Sequence, residues 1–200
     1  AGKRYLNMNT EMENENEPEL KKQNVYDLLT ERASKIPPGS DGLIMLPHLA
    51  GAMCPEFNLK AKGVFFGITL KHDKNHFIRA IMESIGYMLR SNIDILEEMG
   101  VEITEVISTG GASKSALWNQ IKSDILQKPI VTLSQQESCC LGAAILAGVG
   151  SGVFETVEEA SIRMVKRMDS FVSNDNSAHA YDQAYEKYLA LYDSLEKLFE

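Results

Sequence analysis

A chain of 200 residues with 44% hydrophobic and 24% charged residues has the size and balance of one globular domain, large enough to bury roughly 70% of its unfolded surface. Its formal net charge of −8, with no local run of Lys and Arg, repels a phosphodiester backbone and excludes nucleic acid as a partner. Three cysteines, two of them adjacent at Cys139 and Cys140, suit neither a disulfide framework nor a C-x-x-C metal site. With no run of about 18 apolar residues to span a membrane and no apolar leader, the expected location is the reducing cytoplasm.

The chain opens on AGKRYLNMN without an initiator Met, so a piece of a longer protein is the expectation. Residues 8–22, MNTEMENENEPELKK, carry too little apolar surface to offset the entropy of ordering, which assigns 1–24 as a mobile segment and 25–200 as the folded unit. Val25, Leu28, Leu29, Ala33 and Ile36 keep a helical period behind an Asn24 cap until Pro37-Pro38-Gly39 stops it. GLIML (42–46) and GVFFGI (63–68) read as short buried strands around an irregular loop. A long helix is predicted over 75–99, where Phe77, Ile81, Ile85, Met88 and Leu96, joined by Ile78, Met82, Leu89 and Ile93, form a wide apolar face ended by Gly100.

EVIST (105–109) predicts a strand, and after Gly110-Gly111 the residues Leu117, Trp118, Ile121 and Ile125 recur at helical spacing up to Lys128-Pro129. PIVTL (129–133) predicts another strand, followed by an Ala-rich helix, LGAAILAGVGSGVF, in which Ala143, Ala144 and Ala147 are expected to pack closely on the sheet. Thr156 and Glu159 form a capping-box pattern. Tyr181, Ala184, Tyr185, Tyr188, Leu191, Tyr192, Leu195 and Leu198 then space a terminal amphipathic helix that packs on the body. Helices alternating with short apolar strands point to a layered α/β domain.

The double glycine carries the chemical interest. Without Cβ atoms, Gly110 and Gly111 let their peptide planes lie against a ring or a phosphate, and the following helix offers a positive dipole end. The same residues also make a tight strand-to-helix turn with Ser113 or Ser115 as a cap, and spacing alone favours that plainer role. Neither G-x-x-x-x-G-K-[ST] nor G-x-G-x-x-G fits the stretch. His72 and His76 are four apart but lack a convincing ligand set, so no metal site is assigned. Glu83, Asp94 and Asp124 read as solvated charges with no acid–base pairing. Gly148, Gly150 and Gly152 read as the end of the Ala-rich helix.

Residues 63–84, GVFFGITLKHDKNHFIRAIMES, resemble the second signature of the FGGY carbohydrate kinases: G-x-aromatic-x-G-apolar, a gap of seven, then a polar residue and a helix carrying Ala80 and Glu83. GLIMLPHLAG, the STGGASKSALWNQIKSDILQKPI block and LGAAILAG follow in the order of the C-terminal lobe of xylulokinase-like members. The resemblance implies an α/β, ribonuclease H-like lobe of the actin and hexokinase type, a layered sheet with flanking helices. It also implies ATP with Mg2+, a sugar substrate such as a pentulose, and transfer of the γ-phosphoryl group to a sugar hydroxyl. Carried over by position, Gly111 and Ser115 contact the nucleotide, Gly110 and Ala112 shape the same loop, and Gly2 belongs to a second, weaker nucleotide segment.

Where many relatives carry Glu-Arg in the loop after the first strand, this chain has Ala52 and Met53. The catalytic residues and most sugar contacts of the family belong to its N-terminal lobe, so the resemblance assigns no catalytic residue here and implies that these 200 residues alone are inactive. The alternatives are a stand-alone nucleotide-binding module and an assembly module, a homodimer for example, using the terminal Tyr and Leu face.

Overall fold

The computed structural model describes residues 25–199, so the readings made on 1–24, including Gly2 and the Asn24 cap, lie outside the described residues. Helix α1, Val25–Ala33, stops ahead of the Pro37-Pro38 pair. The chain then turns through Gly39, Ser40, Asp41 and Gly42, all at positive φ (80°, 49°, 51° and 89°). Side chains disfavour that backbone, and external contacts hold it. Glu83 accepts from Gly39 N at 3.0 Å and Ser40 Oγ at 2.8 Å, and His76 Nε2 lies 3.2 Å from Asp41 Oδ2.

Strands β1, Ile44–Leu46, and β2, Val64–Phe66, pair antiparallel with Ile44 opposite Phe66. Helix α2, Lys74–Glu98, starts from a capping box in which Asp73 accepts from the Asn75 and His76 amides while the His76 ring accepts from Asp73 N. It gives way at Met99 to Gly100, whose φ is 87°. Strand β3, Val106–Ser108, leads through the double glycine into α3, Ala116–Leu126, and β4, Ile130–Leu133, returns parallel to β3. Helices α4, Ser138–Gly150, and α5, Val157–Met164, follow, and Thr156 caps α5 by accepting from Glu159 N at 3.1 Å. Strand β5, Arg167–Phe171, then joins the free edge of β4 antiparallel, before α6, Asp175–Leu195. The layered α/β expectation holds, with the strands divided between a two-stranded and a three-stranded sheet.

The main core lies where α2, α3 and α6 meet β1. Tyr87 of α2 packs among Tyr181, Tyr185 and Tyr188 of α6, with Ile44, Leu46, Ile121 and Ile125 beside them. Gly86 sets the α2–α3 approach: a Cβ there would lie 2.5 Å from Ile125 Cδ1. A smaller cluster of Ile93, Leu126 and Ile130, with Val106 and Phe171, ties α2 and α3 to the three-stranded sheet.

Three expectations need correction. Strand β5 was not foreseen, because RMDSF is mostly exposed and its register shifts between Val131 and Leu133, so no apolar alternation marks it. The carboxylates taken as solvated are structural. Glu83 is 1% exposed and binds Arg79 Nε at 2.8 Å, while Arg79 donates to Tyr181 Oη at 2.6 Å. Asp124 is buried and accepts from Asn174 N, and Asp94 accepts from Tyr185 Oη at 2.7 Å. Burial pushes the Glu83 carboxyl upward, against the donors from Arg79, Ser40 and Gly39 that favour its charge. Finally, the Ala-rich α4 is not core: Ala143, Ala144 and Ala147 are exposed, and Ile145 is the buried residue of that helix.

Candidate nucleotide-binding cleft

The double glycine bridges β3 and α3 through a short 3-10 turn, Gly111–Lys114. Gly110 sits at φ 75° and ψ −169°, a combination open only to glycine, and its amide donates to Gln136 O at 3.1 Å. Gly111 differs. It takes no positive φ, and a Cβ built on it would meet nothing within 4 Å among the described residues. Neither backbone strain nor packing against the described residues demands glycine there, and the space where a side chain would stand is open.

Ser115 closes the turn and caps α3, its Oγ accepting from Trp118 N at 3.2 Å. The same oxygen lies 3.4 Å from Thr30 Oγ1 of α1. Trp118 is fixed from the other side, since its Nε1 donates to Met82 O of α2 at 3.0 Å. These elements surround a cleft of about 650 Å³. Gly111, Ala112, Lys114 and Ser115 form one wall, Ile78, Ile81 and Met82 of α2 a second, Tyr26, Asp27, Leu29 and Thr30 of α1 a third, and Trp118 joins α3 to it. The arrangement is an apolar slot with hydroxyl groups, a carboxylate, an ammonium and bare backbone at its rim, the chemistry of a flat ring carrying polar substituents.

Of the loop residues singled out in the sequence, Gly111, Ala112 and Ser115 line the cleft, while Gly110 shapes the turn from behind it. The α1 wall, the α2 wall and Trp118 were not foreseen. One signal was present in the width of the apolar face of α2: Ile81 remains 42% exposed, an aliphatic side chain beyond what the core uses.

His72 and His76 do not face the cleft. Their ring centroids are 5.2 Å apart, and His76 Nδ1 and Nε2 meet Asp73 and Asp41 at 2.8 and 3.2 Å. Both rings serve the start of α2 and the Gly39–Gly42 turn: His72 Nδ1 accepts from Thr69 N at 3.0 Å. In the loop after β1, Ala52 is buried and Met53 is exposed.

Residues 4–151 match the model of the FGGY family of carbohydrate kinases, C-terminal domain. The chain belongs to that family. It is 37% identical over 166 residues to a xylulose kinase of Staphylococcus epidermidis, a match covering 83% of this chain and 33% of that protein. It is also 40% identical over 137 residues to a gluconokinase of Bacillus subtilis, covering 68% and 27%. A ligand-bound xylulose kinase from Lactobacillus acidophilus shares the fold at a TM-score of 0.77 and 28% identity, over 87% of this chain and 35% of that one. The chain thus spans about a third of the length of the curated relatives it matches.

Proposed function

We propose that residues 25–200 form the nucleotide-side lobe of an ATP-dependent sugar kinase, which transfers the γ-phosphoryl group of ATP to a hydroxyl of a pentulose or related sugar. The observation that carries this reading is the open space over Gly111 on the wall of the cleft between α1, α2 and α3. A purine ring enters the slot against Ile81, Met82 and Trp118. The Gly111–Ala112 backbone lies against the nucleoside, and Ser115 has a hydroxyl proton to donate while its oxygen caps α3. ATP supplies the phosphoryl group, and this lobe holds and orients it.

Among the described residues no group of three His, Cys, Asp or Glu side chains stands together to hold a metal. The Mg2+ that the family uses would be bound largely through the nucleotide phosphates. Phosphoryl transfer needs charge stabilisation from both sides of the nucleotide, so the 200 residues alone are expected to show no sugar-stimulated ADP release.

The test is a titration of the purified chain with ADP, read by calorimetry and Trp118 emission. Saturable binding is expected, and Gly111→Val, which fills the open space without backbone strain, should weaken it by at least about tenfold with the urea midpoint unchanged. Absence of binding, or full binding by G111V, would sink the reading.

The surface of α4 favours a second, compatible role in assembly. This helix is apolar all round, yet among the described residues only Ile145 of it is fully buried, whereas the terminal Tyr and Leu face first assigned to assembly is buried against α2. Contact with another protein surface therefore belongs to α4. Mass in solution tests it: a chain that stays monomeric and soluble at high concentration argues against that role.

A further inference from the structure

The loop facing the cleft is a single 3-10 turn, a geometry with weak hydrogen bonds of its own. Behind it lies a buried polar chain made by Lys122, Ser108, Asn119 and Ser113. Its direction is dictated by its first member. An ammonium only donates, and Lys122 Nζ lies 2.6 Å from Ser108 Oγ, so Ser108 accepts there and turns its one proton to Asn119 Oδ1, 3.0 Å away. With its oxygen so assigned, Asn119 presents its NH2 to the Ser113 carbonyl at 2.7 Å. Ser113 completes the path by donating its N–H (3.2 Å) and its Oγ (2.7 Å) to the Gly110 carbonyl.

We infer that Asn119 is a positioning residue for nucleotide binding, which holds the Gly110–Ser115 loop in its binding shape from behind by joining the end of β3 to the Ser113 carbonyl. The inference rests on the nucleotide reading of the cleft. Asn119 does not line the cleft; it acts through Ser113 and Gly110. Lys122 supports it by fixing which way the Ser108 hydroxyl points.

Three variants separate positioning from space filling. Asn119→Leu keeps the volume and removes both bonds. Asn119→Asp keeps volume and acceptor but places a carboxylate against the Ser113 carbonyl. Ser113→Ala removes one of the two bonds to Gly110. Measured with ADP at pH 7, where Lys122 keeps its proton, N119L and N119D should lose about tenfold or more in affinity and S113A less, the scale of one buried hydrogen bond. Amides 111–115 of the free N119L and N119D chains should exchange hydrogen faster, with those of β4 and α2 unchanged.

On acidification to about pH 5, N119D should recover relative to the wild-type chain at the same pH, because burial raises its carboxyl and a protonated carboxyl again donates. A purely structural role would instead speed exchange in β4 and α2 as well as in the loop. Wild-type affinity and wild-type loop exchange in both N119L and N119D would overturn the inference. If the wild-type chain binds no ADP, the nucleotide reading falls, and the exchange arm still decides whether Asn119 holds the loop.

Discussion

Helices α4 and α6 invite comparison because both carry dense apolar content and meet opposite fates. In α6 the Tyr and Leu residues recur at threes and fours, and Tyr181, Tyr185, Tyr188, Leu191 and Tyr192 are buried while the other face carries charge. In α4 the apolar residues have no preferred side, and Ile145 alone of its thirteen residues is buried. Periodicity marks a helix whose partner lies on one side within the same folded unit. Apolar character without periodicity marks one that calls for cover on several sides, and here that cover is not supplied by residues 25–199.

The comparison can be broken most forcefully from the α6 side. Tyr181→Ala removes a fully buried ring and deprives Arg79 Nη2 of its acceptor, and is expected to cost about 3–5 kcal/mol in urea unfolding. Gly86→Val, at the α2–α3 approach, should cost about 1–3 kcal/mol through overpacking against Ile125, read by the same measurement.

A pH profile sharpens the contrast further. Burial pushes the Lys122 ammonium down to about 8, while the unfolded chain keeps that proton to about 10.4. Between those values the unfolded state binds more protons, so stability rises with pH across that window, and Lys122→Met flattens the rise. Above about pH 10 the slope reverses. Burial holds Tyr87, Tyr181, Tyr185 and Tyr188 protonated far above the ordinary range, so the unfolded chain sheds protons that the folded chain keeps.

The smallest effect belongs to α4. Leu146→Glu, on a side chain 64% exposed, should change the unfolding free energy in urea by no more than about 0.5 kcal/mol while reducing self-association at high concentration. A large destabilisation there would show that α4 is already covered in solution.

Much of the fold was legible in the sequence because its signals were local. The face of α2, the glycine-marked turn after β3 and the stripe of α6 each follow from residues within one element. Strand β5 was not legible, since an exposed edge strand needs no apolar alternation and its pairing with β4 is decided across the fold. Glu83 was misread for a related reason: its partners Gly39 and Ser40 lie more than forty positions away, and only the fold brings them beneath α2. At the cleft, Gly111 and Ser115 could be named from the loop and its family resemblance, whereas Thr30 and Met82 came to line the same cleft through the packing of three helices.

Gly86 also links packing to recognition. Helix α3 is a rod of about 16 Å that meets Gly86 through Ile125 near its far end and carries Ser115 and Trp118 at its near end. The crossing is thus a fulcrum, and the bond from Trp118 to Met82 is the stop against which the rod rests. A methyl wedge at the fulcrum would register as a change in the gap at the rim. The width of the slot is therefore gauged by two helices deep in the core rather than by the loop that lines it.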